Sequence, residues 1–310
     1  MTGSGTHRIV SEGVEAVISE HGATLLDARF DGRRVIDGPA RAEPALGHHG
    51  AVLAPWPNRT AGGEYRFDGR LHRLPCNDQQ YGHAIHGFVF DETWEVTDRE
   101  AARVVLRRTV DHPPGYPFRL LLELAYSVGR DGVRCDARWT NAGDQIAPFG
   151  LGFHPYLRPG PSPLDEWMLS VPAGEVMDSD PTTKLPRTAR RSSEEDFGTP
   201  MQIRDRRFSR CYGALARTDG IATVRVQDHS GVYVALRMSE SFRWVQVFTG
   251  DVPDPRWKRR AVAVEPQTCP PNALVSGTDL LRLVPGESGT AYWALTAGHE
   301  DQNPTPPVEV

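Results

Sequence analysis

Cysteine is scarce in this chain of 310 residues. The four cysteines, Cys76, Cys135, Cys211 and Cys269, stand far apart and form no CxxC pair. That spacing weighs against a disulfide scaffold and against a cysteine zinc site. No run of about 20 apolar residues occurs, so no membrane-spanning helix and no membrane partner are expected. The opening "MTGSGTHRIVSEG" lacks an apolar signal core, and the cytoplasm is the expected location. Positive charge is not in excess: the formal net charge is −5, which argues against a general nucleic-acid binder. Also missing are a GxSxG nucleophile elbow, a P-loop, a Rossmann glycine fingerprint and the HxxxH and HExxH metal patterns.

What is present is punctuation. The chain holds 30 glycines and 26 prolines, which leave little room for long helices. Between them run short segments of period two, the signature of strands. "EYRFDGRLHRL" reads as strand, Asp-Gly turn, strand. "RLLLELAYSV" alternates around Leu120, Leu122 and Leu124. "ATVRVQDHSGVYVALRM" reads as a hairpin, and "FRWVQVF", "RAVAVE" and "GTAYWALTA" read as further strands. Many short strands with turn signals predict an all-β sandwich or barrel. Residues 158–201 read as a loop-rich excursion. Residues 1–299 are expected to form one domain, with 300–310 a frayed tail. Oligomeric state is not readable from this pattern.

A few residues stand out chemically. In "GLGFHPYL", His154 lies between Phe153 and Pro155, and the proline favours an extended backbone at His154. An imidazole held this way can move protons near neutrality; it can equally be a satisfied core histidine. Glu265, in "RRAVAVEPQT", shares a strand face with Ala261 and Ala263. A carboxylate on such an apolar strand is costly without a partner, and such groups gather at sites where their pKa matters. In "LAPWPNRTAGGEY", Arg59 offers a planar donor fork to a polar ligand, and Asn58 can cap a turn. In "YGHAIHGFVFDETW", His83 and His86 fall on opposite sides of an extended chain, which argues against a metal pair. His86 can bind a substrate oxygen or a backbone carbonyl. Asp205 and Asp251 are further carboxylates, each readable as surface or turn. Trp244, Phe248 and Trp257 can be core or a sugar platform. Arg66, Arg70 and Arg73 suit a phosphate or the outside of a hairpin.

Taken in order, "PNRTAGGEYRFDG", "HAIHGFVFDETWEV", "GLGFHPYL", "DRRFS", "VFTGD" and "AVEPQT" resemble the aldose 1-epimerase (galactose mutarotase-like) family. The motifs span residues 50–270. The resemblance implies a large twisted antiparallel β-sandwich, a supersandwich, with a sugar in an open cleft. It implies an isomerase that interconverts α and β anomers by opening and reclosing the sugar ring, with no metal or cofactor. By motif match, His154 resembles the family's general acid and Glu265 its general base. Arg59 and His86 resemble its sugar-oxygen contacts, and Asp205 the aspartate that binds sugar hydroxyls. Asn58 and Asp251 join them as candidate contacts. Two departures leave the sugar open: "APWPNR" replaces a glycine and aromatic before Asn-Arg, and "FHPYL" replaces the approach seen in galactose-active members. The expected partner is a monosaccharide or a sugar phosphate. A hexose-phosphate anomerase, a pathway-specific epimerase and a non-catalytic carbohydrate-binding protein are the alternatives.

Overall fold

The computed structural model describes residues 5–39, 47–252 and 254–300. The expected tail beyond residue 300 lies outside them. Two large sheets dominate. The nine-stranded sheet runs in the order Glu95–Glu100, Arg103–Asp111, Arg119–Gly129, Gly132–Asn141, Ser288–His299, Val232–Met238, Ala222–Gln227, Met168–Ser170, Met201–Gln202. The eight-stranded sheet runs Arg190–Arg191, Ala173–Asp178, Ser209–Leu215, Trp244–Phe248, Val262–Gln267, Gly152–Phe153, Val52–Leu53, with Tyr156–Leu157 pairing beside it onto Val262–Gln267. Their strand pairings are antiparallel. A four-stranded sheet of Thr6–Ser11, Val14–Ser19, Leu25–Phe30 and Arg33–Arg34 is pinned alongside, for example by the Tyr126 hydroxyl donating to the Ala23 carbonyl at 2.9 Å. Among the described residues the one α-helix is the single turn Ala273–Ser276, and no helix is long and apolar enough to cross a membrane.

Alternation builds the core. Along Arg119–Gly129, Leu120, Leu122, Leu124, Tyr126 and Val128 are buried while their neighbours are half-exposed. Each such side chain contributes roughly 1.5–3 kcal/mol on burial. Phe153 joins the two sheets, its ring 5.4 Å from Trp293 and 6.0 Å from Phe242. The Asp-Gly hairpin forms as read: Asp68 and Gly69 both take positive φ, 46° and 77°, between Glu64–Phe67 and Arg70–Arg73. Arg66, Arg70 and Arg73 all stand exposed on it, with Arg73 paired to Glu64 at 2.8 Å.

Residues 158–201 are loop-rich as read, and they also carry strands that the sequence did not show: Met168–Ser170, Ala173–Asp178 and Arg190–Arg191 join the two large sheets. These strands are too short, and too interrupted by proline and charge, to show a period. Pairing to longer strands fixes them, and Leu169, Val171 and Val176 are buried as a result.

Val262–Gln267 is buried along its whole length. Val262 and Val264, with Val245 and Val247 of the neighbouring strand, belong to the main core. The opposite face carries Ala263, Glu265 and Gln267, whose cross-strand partners are Phe248, Gln246 and Trp244. This second face sets Glu265, Gln267 and Gln246 among Ala263, Phe248 and Trp244, where the first is wholly apolar.

Candidate active site

His154 follows the short strand Gly152–Phe153, which lies between Val262–Gln267 and Val52–Leu53. Its amide donates to the Ala51 carbonyl at 3.0 Å, and its carbonyl accepts from Gly50 at 2.8 Å. The next residue's carbonyl, Pro155, accepts from Val264 at 3.0 Å. The backbone is thus held from both sides, as an extended pre-proline residue permits. This delivers His154 Nε2 to 3.2 Å from Glu265 Oε1. The two residues are only 5% and 2% exposed. The other carboxyl oxygen, Oε2, accepts from Gln267 Nε2 at 3.1 Å. Tyr156 stacks on the His154 ring at 5.1 Å between centroids.

Arg59, Asn58 and His86 form the adjoining corner. The two-residue strands Arg59–Thr60 and Ala84–Ile85 pair there. The Asn58 amide donates to His86 Nδ1 at 3.1 Å, and the His86 amide donates to the Asn58 carbonyl at 3.0 Å. An Nδ1 that accepts leaves the proton of a neutral imidazole on Nε2, so His86 presents a donor there. The glycine after it is a packing requirement. A Cβ at Gly87 would lie 1.9 Å from the Ala54 carbonyl oxygen, and the residue's φ is +72°. Arg59 Nε donates to Asp78 Oδ2 at 2.7 Å, which fixes the guanidinium, and the Tyr81 ring lies 5.5 Å from it.

Burial sets the electrostatics. Desolvation pushes the Glu265 carboxyl up to about 8, against the Gln267 hydrogen bond and the Arg59 charge, which both lower it. Desolvation holds His154 well below the ordinary imidazole range, helped by His48 and His49. His86 is depressed in the same way. Both members of the pair therefore favour their neutral forms. Carboxylic acid with neutral imidazole, and carboxylate with imidazolium, hold the same number of protons. The pair carries one exchangeable proton between two groups in contact. Among the described residues no cluster of three or more His, Cys, Asp or Glu is arranged to hold a metal ion.

The family profile described as Aldose 1-epimerase matches residues 6–296. The chain belongs to the aldose 1-epimerase family. It is 32% identical to the uncharacterised protein YihR of Escherichia coli K12 over 283 residues, covering 90% of this chain and 89% of that one. Its fold is that of the galactose mutarotase-like proteins. A GalM/aldose epimerase homologue from C. elegans superposes with TM-score 0.84 at 20% identity, over 96% of this chain and 99% of that one. A galactose 1-epimerase from Lactobacillus acidophilus NCFM superposes with TM-score 0.76 at 17% identity, over 93% and 92% of the two chains.

Within this family fold, His154 and Glu265 lie together, and His86 joins them with its ring centroid 5.6 Å from that of His154. Asn58 and Arg59 complete the same corner. Asp251 is engaged by its own neighbours. It accepts from Thr249 Oγ1 at 2.5 Å and lies 3.5 Å from both Arg207 and Arg259. Asp205 is exposed in a turn, and the Arg204 and Arg206 carbonyls beside it are held by Arg259. His83 turns away from His86, its Nδ1 accepting from Gly62 and its Nε2 reaching the Thr183 carbonyl at 2.9 Å. Trp244 is buried, with Nε1 donating to Asp279, while Trp257 packs 5.0 Å from His49.

Four residues escaped the sequence reading. Gln267 had a signal: it lies two residues beyond Glu265, on the same strand face. Gln246 became visible only through the cross-strand register that puts it opposite Glu265. Asp78 and His48 carried no local pattern that separates them from surface residues.

Proposed function

We propose that the protein is an aldose 1-epimerase that interconverts α and β anomers of a free aldose by acid–base ring opening and reclosure. The observation that supports it best is the buried contact of His154 Nε2 with Glu265 Oε1 at 3.2 Å, beside Arg59 and His86. In this reading the catalytic unit is one proton shared by two groups. Glu265 as carboxylate takes the proton of the anomeric hydroxyl. His154 as imidazolium gives its proton to the ring oxygen O5. The C1–O5 bonding pair goes to O5, and a lone pair of O1 completes the C1=O1 double bond. Ring opening leaves Glu265 protonated and His154 neutral, the arrangement that desolvation favours. The chemistry is thereby balanced so that the open aldehyde coincides with the preferred state of the pair. Rotation about C1–C2 presents the other carbonyl face. Glu265 then returns its proton to O1, and His154 takes the O5 proton as the ring recloses.

Arg59 and His86 hold sugar oxygens while this charge shifts, and Asp78 keeps the guanidinium aimed. Arg59 also favours the carboxylate form of Glu265. We place the activity in one domain of residues 1–299 in the cytoplasm. The test is NMR of anomer exchange on freshly dissolved pure anomers of glucose, galactose, other aldoses and glucose 6-phosphate. Buffer, His154→Ala and Glu265→Gln are the controls. Acceleration that each substitution lowers by roughly 10²- to 10⁴-fold supports the assignment. Sugar binding without acceleration on any member would replace it with a binding protein.

A further inference from the structure

We propose that His48 is a third sugar-contacting imidazole, hydrogen-bonding one hydroxyl of the bound aldose alongside His86 and determining which sugars are accepted. The inference rests on the mutarotase reading and names a contact within that same site. His48 lies in the turn just before Val52–Leu53. This turn is latched to the backbone of His154: Gly50 donates to the His154 carbonyl at 2.8 Å, and His154 donates to Ala51 at 3.0 Å. The three imidazoles form a triangle. The His48 ring centroid is 4.6 Å from that of His86 and 6.3 Å from that of His154, with His86 and His154 5.6 Å apart. Phe90 stands edge-on to His48 at 4.8 Å and closes one apolar side.

Two observations separate His48 from a core histidine. A core imidazole satisfies its nitrogens within the protein. His48 is half-buried, its Nδ1 is buried without a partner, and among the described residues neither nitrogen makes a hydrogen bond within the protein. The Nε2 edge is left for a ligand. The backbone is the second observation. His48, Asn58 and His86 all take positive φ, 57°, 57° and 66°, and meet in one corner. Such backbones also occur in ordinary turns of this chain, as at Asp68; here three residues that carry them converge beside His154.

The charge state suits the role. Burial, with Arg59 and His49 nearby and Asp78 opposing, holds His48 at about 4. It meets the sugar as a neutral imidazole, able to donate to or accept from a hydroxyl. A cation here would repel the proton that His154 must take up.

The experiment compares wild type with His48→Gly and His48→Asn, both of which tolerate the left-handed backbone. Anomer exchange is measured on D-glucose, D-galactose and their 2-, 3-, 4- and 6-deoxy analogues. His48→Gly should lower kcat/KM about 3- to 10-fold, mainly through KM. The loss should disappear on the one deoxy sugar that lacks the contacted hydroxyl, with His48→Asn intermediate. An unchanged kcat/KM, or the same loss on every sugar, would overturn the assignment. The panel is also read by saturation-transfer NMR. If wild type accelerates no exchange, the mutarotase reading fails, and the hydroxyl-selective loss of sugar binding in His48→Gly still decides the contact. Sugar binding that is absent, or that does not change in His48→Gly, refutes it.

Discussion

Replacing Glu265 by glutamine should stabilise the protein at neutral pH while removing most of its activity. Glutamine has the same shape, keeps an oxygen for the Gln267 Nε2 donor and cannot ionise. The wild-type carboxyl is raised from 4.5 to about 8 by burial. The sign follows from that direction. The folded state prefers the protonated acid, so the full stability of this group is present below pH 4.5 and is lost as pH rises toward 8. At pH 7 the span is about 2.5 pH units, which at about 1.36 kcal/mol each amounts to about 3 kcal/mol. The cost reaches a plateau of about 5 kcal/mol above pH 8. The variant should therefore match wild type near pH 4.5 and exceed it at pH 7, with a rise in Tm of about 5 °C for a chain of this size. Urea and thermal unfolding at pH 4.5, 6, 7 and 8.5, alongside anomer-exchange rates, give both readings. A variant no more stable than wild type at pH 7, or one whose advantage does not shrink toward pH 4.5, would refute the argument that Glu265 is held in an unfavourable setting.

Other outcomes follow from the same geometry. kcat/KM should fall above about pH 8, where the pair loses its single proton, with the acidic limb below 6.5 because His154 is depressed. Gln267→Leu removes a donor that stabilises the carboxylate, so a pH–rate profile should show the basic limb moved upward; a downward move would contradict the assigned cause. Asp78→Asn frees the Arg59 guanidinium and should raise KM about 3- to 10-fold with a smaller change in kcat, read by steady-state anomer exchange. Gly87→Ala forces a Cβ against the Ala54 carbonyl and should cost about 3 kcal/mol or more, seen as a large drop in Tm or a failure to fold. Phe153→Ala removes the ring between Trp293 and Phe242 and should destabilise by about 3–5 kcal/mol in urea unfolding.

Much of the architecture was legible because antiparallel strands with one buried face write a period of two into the chain. Arg119–Gly129 and the hairpin around Asp68-Gly69 are examples. The segment between 158 and 201 was not legible in this way. Its strands of two to six residues take their conformation from the neighbours they pair with, not from their own alternation. The same division runs through the site. His154 and Glu265 were visible one at a time, because a histidine before proline and a carboxylate in an apolar strand are each locally unusual.

By itself, the sequence determined the strand-rich class, the main hairpins and the identity of the unusual polar residues, since these depend on contacts between near neighbours. Tertiary structure alone decided that Nε2 of residue 154 meets Oε1 of residue 265, that Gln246 faces that carboxylate, and that His48 stands beside His86. It also decided the proton balance. A pKa depends on how much water is excluded and on which charges stand nearby, and both are set by segments far apart in the chain that only folding brings together.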